Sequence, residues 1–257
     1  MAKKFLILSL ITLLLSSCLD LDEPSISSTM TVSIGDLSFE MTYVPEGSFT
    51  MGAYDKQISY ASNDEYPEHK VSLGAFYICK TEITAAIWNA VMNDSLPGAN
   101  LGLPATGISY NQLDSFITIL RSKTGYVFAL PTEAQWEYAA RGGADSKNNL
   151  YAGSDNINYV AVHDTTMAFP VARLTENSLG LYDMSGNVAE WCYDWYGKYS
   201  AEDQNMPTGP SSGTYRVVRG GSYLSPSEDC RVSARSFASP DSVSPTIGFR
   251  LILYPMN

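Results

Sequence analysis

The sequence predicts a single irregular α+β domain with low secondary-structure content, and three observations carry that prediction. The 257 residues are 45% hydrophobic and 17% charged, a balance that folds instead of staying disordered. Short strand-like and helix-like patterns alternate up to Gly143, with no fixed-period repeat and no second linker. Beyond Gly143 the chain becomes rich in Gly, Asn, Asp, Ser and Tyr, and no long helical period remains. The formal net charge of −11 argues against nucleic acid as a partner, since that requires a basic surface. Two histidines are too few for a three-histidine metal site.

Each segment follows in order. Lys3 and Lys4 precede an apolar stretch from Phe5 to Leu15, which is too short for a stable spanning helix. The stretch closes on Leu15-Ser16-Ser17-Cys18, which resembles the lipobox of bacterial lipoproteins. That likeness implies cleavage before Cys18, acylation of the cysteine, and a membrane partner in the envelope of a diderm bacterium, at its outer membrane. Residues 1–17 are then a signal peptide, 18–36 a lipidated acidic and polar tether, and 37–257 the domain. The run Leu19-Asp20-Leu21-Asp22-Glu23 resembles the export signals of surface lipoproteins, so the periplasmic and outer faces both stay open.

Inside the domain, Leu37 to Val44 alternates as a strand does, Ser48 to Met51 reads as a second strand, and Val71 to Ile78 as a third. Thr84 caps a short helix running to Met92. After Ser109, Leu113, Phe116, Ile117 and Leu120 recur at i, i+3, i+4 and i+7, and Gly125 stops the helix. Thr132 with Gln135 forms a capping box for a helix from Glu133 to Arg141. Arg216 to Gly220 and Phe249 to Tyr254 read as late strands.

Several blocks then stand out. They are Gly47 to Gly52 (GSFTMG), Glu65 to Val71 (EYPEHKV), Leu130 to Gly143 (LPTEAQWEYAARGG), Gly180 to Trp191 (GLYDMSGNVAEW), Arg219 to Tyr223 (RGGSY) and Gly248 to Leu251 (GFRL). In this order they resemble the formylglycine-generating enzyme, or sulfatase-modifying factor, family. The resemblance runs from about Phe39 to Leu253. It implies a compact fold with little regular secondary structure, related to C-type lectins.

Active members of that family oxidise a sulfatase cysteine to formylglycine with oxygen and Cu(I) held between two thiolates spaced C-x4-C after the Gly-Gly-Ser block. Counting forward from Tyr223 puts Ser225 and Cys230 at those positions, with Ser222 beside them. Counting back from Arg235 leaves Cys230 outside the pair. Either way the two soft ligands that Cu(I) prefers are missing, so Cu(I) is not expected and oxidase activity survives only as the alternative. A second branch of the superfamily uses a non-haem iron held by histidines in a further domain, for which this chain has no room. His69 matches a structural family position, and His163 reads as a solvent-facing loop residue.

The resemblance also implies calcium at Asp183, Gly186, Val188 and Glu190, where two carboxylates flank a glycine turn and a hard cation seeks about six to eight oxygens. A second calcium site would fall near Asn158, Tyr159 and Asp164. Cys192 and Cys230 lie in loops that meet near the family's cleft, so they form either a disulfide or two free thiols; Cys79 reads as a buried hydrophobe. Aromatic residues make up 12% of the chain and concentrate around Trp191. With Arg235 and Ser222 at the implied cleft, Trp191 and Arg235 are the expected contacts for a peptide, protein or glycan ligand.

Overall fold

The computed structural model describes residues 28–96 and 102–255. The expected signal peptide and the lipidation site Cys18 therefore lie outside the described residues. Strands β1 (Thr29–Ile34) and β2 (Leu37–Val44) form a hairpin closed at Gly35, whose φ of 60° suits glycine. The end of the expected tether is thus a strand. Val32 and Ile34 are buried while Thr29, Thr31 and Ser33 face outward, an alternation too short to stand out beside its polar half.

Strands β5 (Phe76–Cys79), β6 (Phe128–Ala129) and β12 (Ile252–Leu253) complete an antiparallel sheet in the order β1-β2-β5-β12-β6. Helices α1 (Ala85–Met92) and α2 (Tyr110–Thr124) cover it. The Ile87 N–H donates to Thr84 Oγ1 at 3.3 Å, the cap expected from sequence. Leu113, Phe116 and Leu120 are buried, and Gly125 ends α2 at φ 79°. Trp88 stacks on Phe116 with ring centroids 5.0 Å apart, joining the two helices within one apolar core.

A second sheet joins β3 (Gly47–Met51), β4 (His69–Leu73) and β8 (Gln204–Asn205) in the order β3-β4-β8. The apolar run Val71 to Ile78, expected as one strand, is therefore two strands in different sheets, broken at Gly74-Ala75. The run stays apolar across the break because both halves are buried, so periodicity gave no sign of it.

The third sheet runs β10 (Arg235–Ala238), β9 (Arg216–Arg219), β7 (Ala189–Trp195), β11 (Ile247–Gly248). Helix α3 (Glu133–Ala140) packs against it with all eight residues buried. Thr132 and Gln135 form the predicted reciprocal cap, at 3.2 and 2.9 Å. The fold is thus the expected mixed α+β domain. No helix among the described residues is long and apolar enough to cross a membrane.

Candidate functional site

The turn after β9 holds the residues expected to bind copper. Gly220 and Gly221 take φ values of 94° and 68°, and Gly221 has no room for a side chain: a Cβ there would lie 2.7 Å from Cys230 Sγ. Ser222 and Ser225 close on each other. The Ser222 N–H donates to Ser225 Oγ at 3.0 Å, and the Ser225 N–H donates to the Ser222 carbonyl at 2.9 Å. Cys230 is fully buried beside Tyr151 and Val160. Burial, and then the charges of Asp229 and Glu228, push its thiol up to about 12. This loop therefore offers one protonated thiol and two hydroxyls, which do not fit a Cu(I) dithiolate.

Of the two arrangements left open for Cys192 and Cys230, the free thiols are found and the disulfide is not formed. Cys79, Cys192 and Cys230 are all buried free thiols, and Cys192 packs in the apolar core around α3, separate from the cluster that holds Cys230. His163, expected to face solvent, is half-buried, and its Nδ1 is enclosed without a hydrogen-bond partner.

The calcium expectation also fails the fit. Glu190 sits on β7 with both oxygens engaged: Arg250 donates to Oε1 and Oε2 at 2.7 Å each, and Trp136 Nε1–H donates to Oε2 at 2.8 Å. The Glu190 charge that a cation would use is paired with the Arg250 guanidinium. Asp183 Oδ2 accepts the Ala172 N–H at 2.8 Å, and burial raises its carboxyl. Glu82 is raised further, by burial and then by the charge of Asp183. With Glu190 committed to Arg250, the residues Asp183, Gly186, Val188 and Glu190 do not make a calcium cage as arranged. At the second expected site, Asn158, Tyr159 and Asp164 are exposed, and the Tyr159 carbonyl accepts the Thr175 N–H at 2.9 Å. Among the described residues no group of three or more His, Cys, Asp or Glu side chains is placed to hold a metal.

Trp191 and Arg235 were the expected ligand contacts; the structure buries Trp191, while Arg235 lines a cleft with its donors engaged by the protein. Trp191 is fully buried, donates from its indole to the Ile108 carbonyl at 3.2 Å, and meets Tyr110 edge-on. Arg235 clamps Glu133 through Nε at 2.6 Å and Nη2 at 2.8 Å, and its Nη1 donates to the carbonyls of Asp64 and Gly197. Glu133 also accepts from Arg219 at 3.0 Å and Tyr199 at 3.2 Å. Burial pushes Glu133 up, but Arg235 and Arg219 outweigh it and hold the carboxyl below its usual range. Glu137 completes the network, bridging Arg219 at 2.6 Å and Arg141 at 2.7 Å. A buried set this well paired fixes the sheet–helix joint in one geometry.

The network forms one wall of a cleft of about 480 Å³, within the usual range for small-ligand sites. The cleft lies where the β3-β4-β8 sheet meets the N-terminus of α3 and the end of β7. His69 opens β4 and lines it, as do residues of the segment 204–210. Asp194, at the end of β7, is 4% exposed. Its Oδ2 accepts the Glu133 N–H at 2.8 Å, capping a first-turn amide that α3 leaves unpaired. Burial, then the neighbouring charge of Glu133, push Asp194 up to about 7. Sequence reasoning missed Asp194 and this use of Glu133, although the capping box at Thr132 already placed Glu133 at the helix start.

Comparison with known proteins gives the family. Residues 35–254 match the sulfatase-modifying factor enzyme 1-like domain. The chain is 32% identical over 206 residues to a formylglycine-generating enzyme of Thermomonospora curvata, covering 68% of this chain and 63% of that protein. It is 30% identical over 246 residues to the serine/threonine-protein kinase pkn1 of Chlamydia caviae, covering 82% of this chain but only 37% of that protein. A chaperone protein LppX of Paenibacillus barcinonensis is 27% identical over 299 residues, covering 95% and 98%. The solved structure of Treponema denticola variable protein 1 superposes with a TM-score of 0.79 at 26% identity, covering 90% of this chain and all of that one. The chain belongs to the sulfatase-modifying factor enzyme 1-like family, whose members similar to it include formylglycine-generating enzymes.

Proposed function

We propose that the protein is a lipid-anchored member of this family that has lost the oxidase and binds a peptide, protein or glycan as a binding or assembly module. One observation carries the reading. The loop that would hold copper supplies a single thiol, Cys230, buried and kept protonated, while Ser225 occupies the other position with its hydroxyl accepting the Ser222 N–H. Cu(I) held by a hydroxyl and a protonated thiol would be bound too loosely to activate oxygen. The near end-to-end likeness to a protein named as a chaperone supports a binding role. The ligand site in this reading is the cleft at Asp194, away from the Ser222–Ser225 turn.

The test is to incubate the full chain with Cu(I), oxygen and a Cys-x-Pro-x-Arg peptide and then weigh the peptide. No mass change is expected, and no copper should remain on the protein after gel filtration. Conversion faster than by copper in buffer would restore the oxidase alternative. The anchor is tested separately, by expressing the chain in a diderm bacterium with labelled fatty acid. Label should enter the wild type and not Cys18→Ala, and equal labelling of both would remove the anchor.

A further inference from the structure

We propose that the cleft at Asp194 binds a primary ammonium group on an extended alkyl stem, with Asp194 Oδ1 as its counter-ion and His69 Nε2 as a second acceptor. The assignment rests on the binding-module reading and narrows its ligand to one chemistry.

The polar atoms lining the cleft divide into those already satisfied and those still open. Glu133 has its two oxygens filled by Arg235, Arg219 and Tyr199. Arg235 is equally committed, to Glu133 and to two carbonyls. Asp194 gives Oδ2 to the helix amide, and its Oδ1 accepts from no other residue among those described. His69 approaches the Pro67 carbonyl through Nδ1 at 3.1 Å. A carbonyl only accepts, so Nδ1 carries the proton in that contact, and in that tautomer Nε2 can accept. The ring itself is fixed edge-on to Tyr199, with centroids 5.0 Å apart. An ionised Asp194 Oδ1 only accepts, and a ligand that keeps it ionised must bring a donor to it.

Charge selects among donors. Asp194 is the carboxylate of this wall that no arginine pairs, and it is nearly buried beside the ionised Glu133. Burial and the charge of Glu133 push its carboxyl up to about 7; a neutral hydroxyl does nothing to offset them, whereas an ammonium favours the ionised form and supplies the hydrogen bond as well. An anion would meet Asp194 and Glu133 together. Lys198 lines the rim but is exposed and forms no ion pair among the described residues. The remaining walls, including Trp195, Pro207 and Pro210, suit the methylene stem of such a group. Gly209 lets the backbone approach Asp194 closely: with φ 72°, a Cβ there would lie 3.0 Å from Asp194 Oδ1. The chain's net charge of −11 favours the approach of a cation.

The alkylammonium could come from a lysine of a bound peptide or from a free amine, and the test separates them. The full chain in detergent is titrated calorimetrically with Nα-acetyl-lysine methylamide, with the same compound acetylated on Nζ, and with n-butylamine. The free-amine lysine derivative should bind wild type at least about tenfold tighter than its Nζ-acetylated form. Asp194→Asn keeps an oxygen for the Glu133 amide and should lose that preference, with its melting curve recorded to confirm folding. n-Butylamine binding as tightly as the lysine derivative identifies a free amine as sufficient, and weaker binding identifies a peptide lysine. Equal affinity for the acetylated and free lysine derivatives, or no binding of either amine to wild type, overturns the proposal without relying on the variant. Peptide mass reads the loss of the oxidase and amine titration reads the cleft, so the two readings fail separately.

Discussion

Around Glu133, three arginines and two glutamates are buried with nearly every polar atom paired. The turn from Gly220 to Cys230, which continues directly from Arg219 of that network, holds hydroxyls, one enclosed thiol and the exposed carboxylates Glu228 and Asp229. Both regions are built from the blocks that mark the family, yet they do different things. The charged network orients α3 against the β10-β9-β7-β11 sheet, and a change there disturbs everything resting on it. The turn is held largely by backbone hydrogen bonds, within itself and to Asp164, Thr165 and Asn187, so its side chains can change chemistry while the frame stays. Losing the thiol pair and keeping the fold are compatible for this reason.

The sharpest way to break this contrast is to remove one residue from each region. Glu133→Ala leaves Arg235 and Arg219 facing a buried gap and should cost about 3–5 kcal/mol. Ser225→Ala removes one hydrogen bond from a half-buried turn and should cost about 1 kcal/mol. Urea denaturation of both variants measures the two, and comparable losses would mean that the turn supports the fold as much as the network does.

The next effect separates Asp194 from the arginine-held acids. An unfolded aspartate loses its proton near pH 4, whereas folded Asp194 keeps it to about pH 7. Between those values the native state binds more protons, so this group makes stability fall as pH rises and then level off. Glu133 has the opposite sign: its folded carboxyl is held low, so its stabilisation is present above the unfolded pKa and is lost as pH falls through the folded one. Asp194→Asn should remove the decline and be more stable than wild type at pH 8. At about 1.4 kcal/mol per unit of raised pKa, the gain should be roughly 2–4 kcal/mol. Melting curves from pH 4 to 8 check it, and parallel curves for the two proteins would show that Asp194 ionises freely in the fold.

Much of the frame was legible because it depends on local rules. The caps at Thr84 and Thr132 and the stripe on α2 each announce themselves within a few residues. The strand at Thr29–Ile34 was hidden because its outward face is Thr and Ser, and the break at Gly74 because both flanks are apolar. The site was harder, for a different physical reason. Asp183, Glu190 and Arg235 stand in the family's blocks, but who pairs with a buried charge is decided by residues far along the chain. Glu190 is claimed by Arg250, sixty positions away, and Arg235 by Glu133, about a hundred away. Trp191 looked like a binding residue among aromatics because burial depends on packing from α2, which a local composition count does not contain.

The smallest expected effect concerns calcium, and it tests whether an internal arginine has taken the role of an ion. Arg250 reaches Glu190 with two parallel hydrogen bonds and is itself fully buried, donating further to the carbonyls of Cys79 and Tyr182 at 3.0 and 2.9 Å. For calcium to use Glu190, this guanidinium would have to lose its partner or leave the core, and either step strands a buried charge at a cost of about 3–5 kcal/mol. A ligand held only by the native state raises the melting temperature by mass action. The full chain should therefore melt at the same temperature in excess calcium and in chelator. Arg250→Met frees Glu190 and is the sharpening variant: less stable than wild type, it should become responsive to calcium if the loop carbonyls of Gly186 and Val188 still face the vacated charge. A clear drop in wild-type melting temperature on chelation would show that Glu190 exchanges Arg250 for an ion, and that this region, unlike the network around Glu133, is not fixed by its own charges.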